Sequence, residues 1–472
     1  MKALSRFSFF LVPSLLQGAM SVLMLPVATR ILGPQDYGVF ALACAYTGLG
    51  SALASLGAGY VIANRFHADG RGQAEHVVST ISILGLCAVS AYAVVLYGLW
   101  PLLPGVEHVP ASCFWLALAA MICGYPWSIA MDILVIRGDA RQFAAISIAQ
   151  TLISAAALAA GLFLFGLGTS ALFVAQLSGA LVGLVGAVVA LRGYLRPRVD
   201  LDVVRELCSV GLVSGLGNLI EALQVALERG VLSIAVGLFQ LGIYTHSHQY
   251  RTIAAMPAKA IARSFWPLTL SEARDRSSDF SGTRMAWNIA YIALTLCGVV
   301  FATVGDRVID LLTNGKFTDA HILATCWMMY LLLVNSGKPQ TGVLYALGGG
   351  RTYARLVVAS GIAAAGALVV LIPLFGVWGA VAAAVLQQVC LRAGIQSAAR
   401  AIRRVPFQDR WACFGIAYIA STLLMRLYFG GSLGEDLVIL TASSGLLLVI
   451  TYRTLLTALH RVGPGRSAQV VR

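Results

Sequence analysis

The chain has 472 residues, 59% of them hydrophobic and 11% charged, with a formal net charge of +13. Soluble domains carry roughly 25% charged residues, so this composition excludes an ordinary soluble globular protein and makes lipid the solvent. Its apolar runs are continuous over about twenty residues instead of alternating over about ten, which excludes a β-barrel and leaves helices that satisfy their own backbone groups.

The first apolar run follows Lys2 and Arg6 and extends over 7–31. It is longer than the core of a secretory signal peptide and no small-residue cleavage site closes it, so it reads as span 1. Further spans are predicted at 38–63, 77–100, 111–136, 143–165, 169–191, 208–236, 242–267, 285–305, 321–346, 355–374, 377–397, 411–429 and 436–458. About twenty helical residues cross a bilayer, and every run reaches that length. The predicted fold class is therefore all-α, a polytopic membrane protein of about fourteen transmembrane helices. The nine cysteines lie in or beside these runs without a CxxC pair, and they read as small core hydrophobes.

Basic residues between the spans set the orientation. With both termini in the cytoplasm, 24 of the 33 Lys and Arg residues fall on the cytoplasmic side. Only Arg30, Arg307 and Lys316 fall outside, and the remainder lie within spans. The asymmetry obeys the positive-inside rule and favours an even number of spans. It also gives the positive charge a topological reading, so nucleic acid is not an expected partner.

The chain repeats itself. Gly33-Pro34-Gln35-Asp36-Tyr37-Gly38-Val39-Phe40 after span 1 matches Gly237-Leu238-Phe239-Gln240-Leu241-Gly242-Ile243-Tyr244 after span 7 in the same frame. Asp139 to Phe143 resembles Gly349 to Tyr353, and Phe165-Gly166-Leu167 resembles Phe375-Gly376-Val377. Six spans per unit give two parallel repeats related by a pseudo-two-fold axis along the membrane normal. The expected division is an N-terminal six-helix lobe at 1–200, a C-terminal six-helix lobe at 201–400, and two additional helices with a cytoplasmic tail at 401–472.

Arg30-Ile31-Leu32-Gly33-Pro34-Gln35-Asp36-Tyr37-Gly38 resembles the first outer loop of polysaccharide-export flippases of the multidrug/oligosaccharidyl-lipid/polysaccharide exporter superfamily. Glu228-Arg229 is similar to an acidic-Arg pair of that family, with Glu where its commonest pattern has Asp. Gly242-Ile243-Tyr244 resembles its Gly-hydrophobe-Tyr start of span 8. The resemblance implies two lobes around a cavity that opens alternately to each side. It also implies flipping of undecaprenyl-diphosphate-linked sugars in a bacterial inner membrane.

Charges inside a bilayer cost about 2.5–3.5 kcal/mol on insertion scales and usually face a wet cavity. Ser214, Asn218, Glu221, Gln224 and Glu228 share one face of span 7, as a cavity wall that holds substrate or a coupling ion, or as interhelical hydrogen-bond glue. Tyr244, His248, Arg251, Lys259 and Arg263 share a face of span 8. Glu228 and Arg251 fall at similar depth and are a candidate ion pair. Lys259 and Lys338, at similar depth in spans 8 and 10, suit a diphosphate, with structural pairing as the alternative. Arg263 is a further candidate or a snorkelling residue. Arg30 either meets the anionic head at the outer surface or anchors the interface. Asp132 is expected to pair locally with Arg137, and Arg426 to snorkel. His246 and His248 read as cavity-wall polarity. Pro257 and Pro339 adjoin Lys259 and Lys338 and mark candidate bends.

No Walker A, HExxH or GxSxG motif and no metal-spaced set is present. The expectation is a transporter without cofactors, not an enzyme. Its partners would be the lipid-linked oligosaccharide, the bilayer and, more remotely, a polysaccharide polymerase and glycosyltransferases. An ion-coupled multidrug exporter of the same superfamily is the rival, and a membrane-embedded polymerase or ligase comes third. Two acids against three bases on the faces of spans 7 and 8, with Lys338 a fourth base, favour an anionic cargo.

Overall fold

The computed structural model describes residues 16, 20, 23–24, 26–68, 71–194, 199–275, 277–402 and 410–462. Among them all regular structure is helical. After helical residues 26–31 come α1 (Pro34–Ala54), α2 (Ala58–Ala68), α3 (Arg71–Leu99), α4 (Ala111–Arg137), α5 (Ala140–Phe163), α6 (Ser170–Leu191) and the short α7 (Leu201–Glu206). They are followed by α8 (Leu212–Ala235), α9 (Gly237–Arg274), α10 (Ser281–Thr313), α11 (Ala320–Ser336), α12 (Lys338–Ala346), α13 (Gly350–Phe375), α14 (Val377–Ile402), α15 (Arg410–Phe429) and α16 (Leu433–Val462).

Eleven helical segments among the described residues are long and apolar enough to cross a membrane. The other three predicted spans have separate reasons for falling outside that set. Span 1 lies largely outside the described residues. Spans 7 and 8 are long helices, α8 and α9, but they carry the intramembrane charges. The protein is thus a polytopic all-α membrane protein. All nine cysteines are free, and Cys87, Cys208, Cys390 and Cys413 are exposed instead of packed in the core. On a membrane helix an apolar side chain facing outward meets lipid, so a small hydrophobe need not be buried there.

The chain forms two compact units, one of residues 1–245 with 361–380 and one of 246–360 with 381–472. In the first, α4, α5 and α6 pack closely. The glycines of α6 make this possible. A Cβ on Gly183 would lie 3.1 Å from Trp127 Cβ, and one on Gly186 would lie 2.4 Å from Ile146 Cγ2. Lipid supplies no hydrophobic drive between helices, so small residues that admit close backbone approach hold them together. In the second unit α10 is the hub, packed by α11, α15 and α16. Gly298 of α10 receives Ile419, and Gly415 of α15 lies against Thr295.

The 33–40 segment shows why its sequence suits a helix start. Pro34 occupies the first turn, where a missing N–H costs nothing. Asp36 accepts the Gly33 N–H at 2.8 Å and also the Thr169 hydroxyl, tying the start of α1 to the start of α6. Its negative charge sits favourably at the helix N-terminus.

The two copies of the repeat motif touch reciprocally. A Cβ on Gly38 would lie 2.1 Å from the Leu238 carbonyl oxygen, and a Cβ on Gly242 would lie 1.7 Å from the Pro34 carbonyl oxygen. Leu238 and Gly242 are the repeat equivalents of Pro34 and Gly38. A contact in which i meets j while the equivalent of j meets the equivalent of i is what a local two-fold relation generates. Glycine at both positions is required by backbone-to-backbone approach.

Candidate functional site

In the first unit, α8 runs along α1. Asn218 and Glu221 are exposed on it, whereas Gln224 and Glu228 are half-buried. Gln224 donates from Nε2 to the Gly361 carbonyl at 3.0 Å, a bond between α8 and α13. Arg229, next to Glu228, donates from Nη1 to the Ala41 carbonyl of α1 at 2.8 Å. A guanidinium inside a bilayer is thereby partly satisfied by backbone oxygen. Ser214 lies outside the residues whose side chains are described. Arg30, at the end of the helical stretch before Gly33, is exposed.

Asp132 and Arg137 do not pair. Arg137 instead bridges to Asp139 at 2.9 Å and covers the Tyr194 ring at 5.7 Å. Asp132 lies against Gly59 of α2, its Oδ2 only 2.7 Å from where a Cβ would be. A spacing of five residues turns a helix by about 140°, which puts the two side chains on different faces.

In the second unit Arg251 lies among aromatic rings. Its guanidinium lies over the Trp327 ring at 4.9 Å and the Tyr330 ring at 5.3 Å. Trp327 is fully buried, and its Nε1 donates to Ser247 Oγ at 3.1 Å, which fixes the ring orientation. His248 packs edge-on to the same indole, with centroids 4.1 Å apart. Two rings stabilise the cation through their negative faces. They also fix its depth while the in-plane donors keep their capacity for an oxyanion. His246 is fully buried one turn away, its Nε2 2.9 Å from the Tyr250 hydroxyl and its ring against Phe317. Lys259 and Arg263 fall within α9, which continues through residue 257; their side chains, like that of Pro257, lie outside the described ones.

Lys338 is half-buried and opens α12, immediately after a break at Gly337. The break follows from Pro339, which has no N–H to return to the carbonyl of Asn335. That carbonyl instead accepts the Gly337 N–H, and the Tyr291 hydroxyl of α10 approaches it at 3.4 Å. The Thr341 hydroxyl bonds the Gly337 carbonyl at 3.0 Å. Span 10 is therefore two helices, with Lys338 at the joint.

Sequence reasoning missed the partners of two cations. Trp327 and Tyr330 lie about eighty residues from Arg251, and only their aromatic character signals the role. Arg426 does not snorkel. It pairs with Asp306 and, through Nε at 3.3 Å, with the completely buried Asp436, to which Arg307 also bonds at 2.8 Å.

A family described as polysaccharide biosynthesis protein matches residues 27–322. The chain belongs to this family. Its fold is that of known transporters. It resembles the lipid II flippase MurJ in an inward closed conformation, with a TM-score of 0.69 at 12% identity over 95% of this chain and 99% of the other. It also resembles an inward-facing multidrug resistance MATE transporter of the MOP superfamily, with a TM-score of 0.65 at 15% identity over 86% of this chain and 96% of the other. No curated protein matches it by sequence.

Proposed function

We propose that this protein flips undecaprenyl-diphosphate-linked oligosaccharide from the cytoplasmic to the periplasmic leaflet of a bacterial inner membrane. The product would feed surface polysaccharide synthesis, as O-antigen, capsule or exopolysaccharide. The observation that carries the reading is the family match over residues 27–322 on a chain whose fold is that of membrane transporters. A polysaccharide role on a transporter fold calls for a sugar cargo that must cross the bilayer. The likeness to a lipid II flippase supports a lipid-borne one.

In this reading the lobes at 1–200 and 201–400 alternate access to a cationic central cavity, with 401–472 adding two helices. Arg251, Lys259 and Lys338 attract the diphosphate, with Arg30 and Arg263 at the outer and cytoplasmic mouths. Asn218, Glu221, Gln224 and Glu228 form a polar cavity wall, and Glu221 or Glu228 couples transport to an ion gradient. The lipid tail stays in the bilayer. The chain acts as a transporter and not as an enzyme, needs no cofactor, and works beside a polymerase and glycosyltransferases.

The test is transport by the full chain reconstituted in vesicles, using undecaprenyl diphosphate carrying a fluorescent N-acetylglucosamine. Protein-dependent translocation is expected, and Arg251→Gln should slow it at least tenfold, on the order of 1.4 kcal/mol. Vesicles that move the lipid no faster than protein-free ones, yet export a cationic dye, would favour the multidrug reading.

A further inference from the structure

The first unit contains a cavity of about 550 Å³ bounded by α1, α4, α5 and α6 together with Met20 and Met24. No charged side chain lines it among the described residues. One wall is a polar stripe on α5, formed by Ser147, Gln150, Thr151 and Ser154. The spacing of three, four and seven residues places all four on one helix face. Gln176 of α6 faces the same space, and Trp127 with Phe143 forms an aromatic side, ring centroids 6.4 Å apart.

The stripe is not explained as helix glue. The facing part of α6 offers Ala175 and Gly179, which have no side-chain partner to give; a Cβ on Gly179 would lie 2.2 Å from Ser154 Oγ. Thr151 turns back to the Ser147 carbonyl at 2.9 Å. Gln176 accepts the Cys44 thiol at 3.4 Å, and among the described residues its amide N–H groups donate no hydrogen bond. Gln150 and Ser154 make no side-chain hydrogen bond among the described residues. Polar groups without partners in a membrane-embedded wall are costly against hydrocarbon, so an isoprenoid tail is a poor occupant. A cationic drug would want an acid, and a diphosphate would want bases. What fits is an uncharged group with many hydroxyls and an apolar ring face. The volume lies within the range of small-molecule pockets.

We propose that this cavity recognises the neutral sugar portion of the cargo, through Gln150, Ser154 and Gln176 and the aromatic side formed by Trp127 and Phe143. Its residues are other than the cations proposed to attract the diphosphate, and it would set which glycan is exported. It rests on the flippase reading and names the part of that substrate which these helices select.

The experiment is binding to the full-length protein in lipid nanodiscs, with two radiolabelled probes: undecaprenyl diphosphate, and undecaprenyl diphosphate bearing N-acetylglucosamine. Wild type should prefer the sugar-bearing lipid by tenfold or more. Gln150→Leu combined with Gln176→Leu should reduce that preference below twofold, with affinity for the bare lipid unchanged. Ser154→Ala, which only removes a hydroxyl, should lower the preference severalfold and guards against misfolding of the double variant. A wild type that binds both lipids equally, or a preference that survives both sets of substitutions, overturns the sugar site and leaves the flippase reading standing. Binding of neither lipid by wild type removes the flippase reading and this one together.

Discussion

Arg426 illustrates what a single side chain does in lipid. Its nitrogens bond Asp306 and Asp436, and Arg307 holds the second oxygen of Asp436. Removing one partner of a buried pair leaves an uncompensated charge, which typically costs 3–5 kcal/mol. The lower end applies to Asp436→Asn, because the Arg307 side chain is 36% exposed and Asp306 still engages Arg426. We expect a loss of about 3 kcal/mol, read as a lower thermal unfolding midpoint of the full chain in detergent, with Asp306→Asn milder. An unchanged midpoint for Asp436→Asn would remove the network as a stabilising feature. None of this was legible beforehand. Asp436 lies ten residues from Arg426 and Asp306 lies 120 away, so sequence alone showed an arginine near a helix end, for which outward reach to the interface is the ordinary expectation.

At the level of helices, the joint at Gly337 and the paired glycines each carry a prediction. Tyr291→Phe should cost about 1 kcal/mol, by loss of the hydroxyl that serves the Asn335 carbonyl. In a Pro339→Ala background the alanine N–H can take that role, so Tyr291→Phe should cost measurably less. A double-mutant cycle measures the difference, and equal costs in both backgrounds would refute the account. Gly38→Ala and Gly242→Ala each drive a Cβ into a backbone oxygen of the other motif copy. Each should destabilise by about 1–3 kcal/mol, as overpacking does, and by similar amounts because the contacts are equivalent. A large disparity in unfolding midpoints would argue against the local two-fold. The repeat itself could be seen in sequence, since its residues match in frame. Their mutual contact could not, because matching patterns do not say that the copies meet.

For the whole molecule, length and apolarity identified the membrane class, since no other fold satisfies backbone groups in lipid. Eleven predicted spans reappear as helices able to cross. The spans that composition alone leaves out, α8 and α9, are those bearing Glu221, Glu228 and Arg251, so the signal that marks a candidate pathway weakens the signal that marks a span. The partners of the Arg251 guanidinium stayed hidden because a ring contributes to hydropathy, not to charge pairing. Orientation is the remaining global property, and its basis is the distribution of Lys and Arg. The α10 helix gives the sharpest test, because it alone separates exposed Asp275 from exposed Lys316. In a variant freed of the nine native cysteines, Asp275→Cys and Lys316→Cys each introduce one thiol. A membrane-impermeant maleimide applied from the periplasmic side should label the cysteine at 316 and spare that at 275, and inverted vesicles should reverse the result. The opposite pattern would turn the molecule over, placing the basic loops outside and any cargo movement inward. Labelling of both from one side would mean that α10 does not cross, and the even count of spans would fail with it.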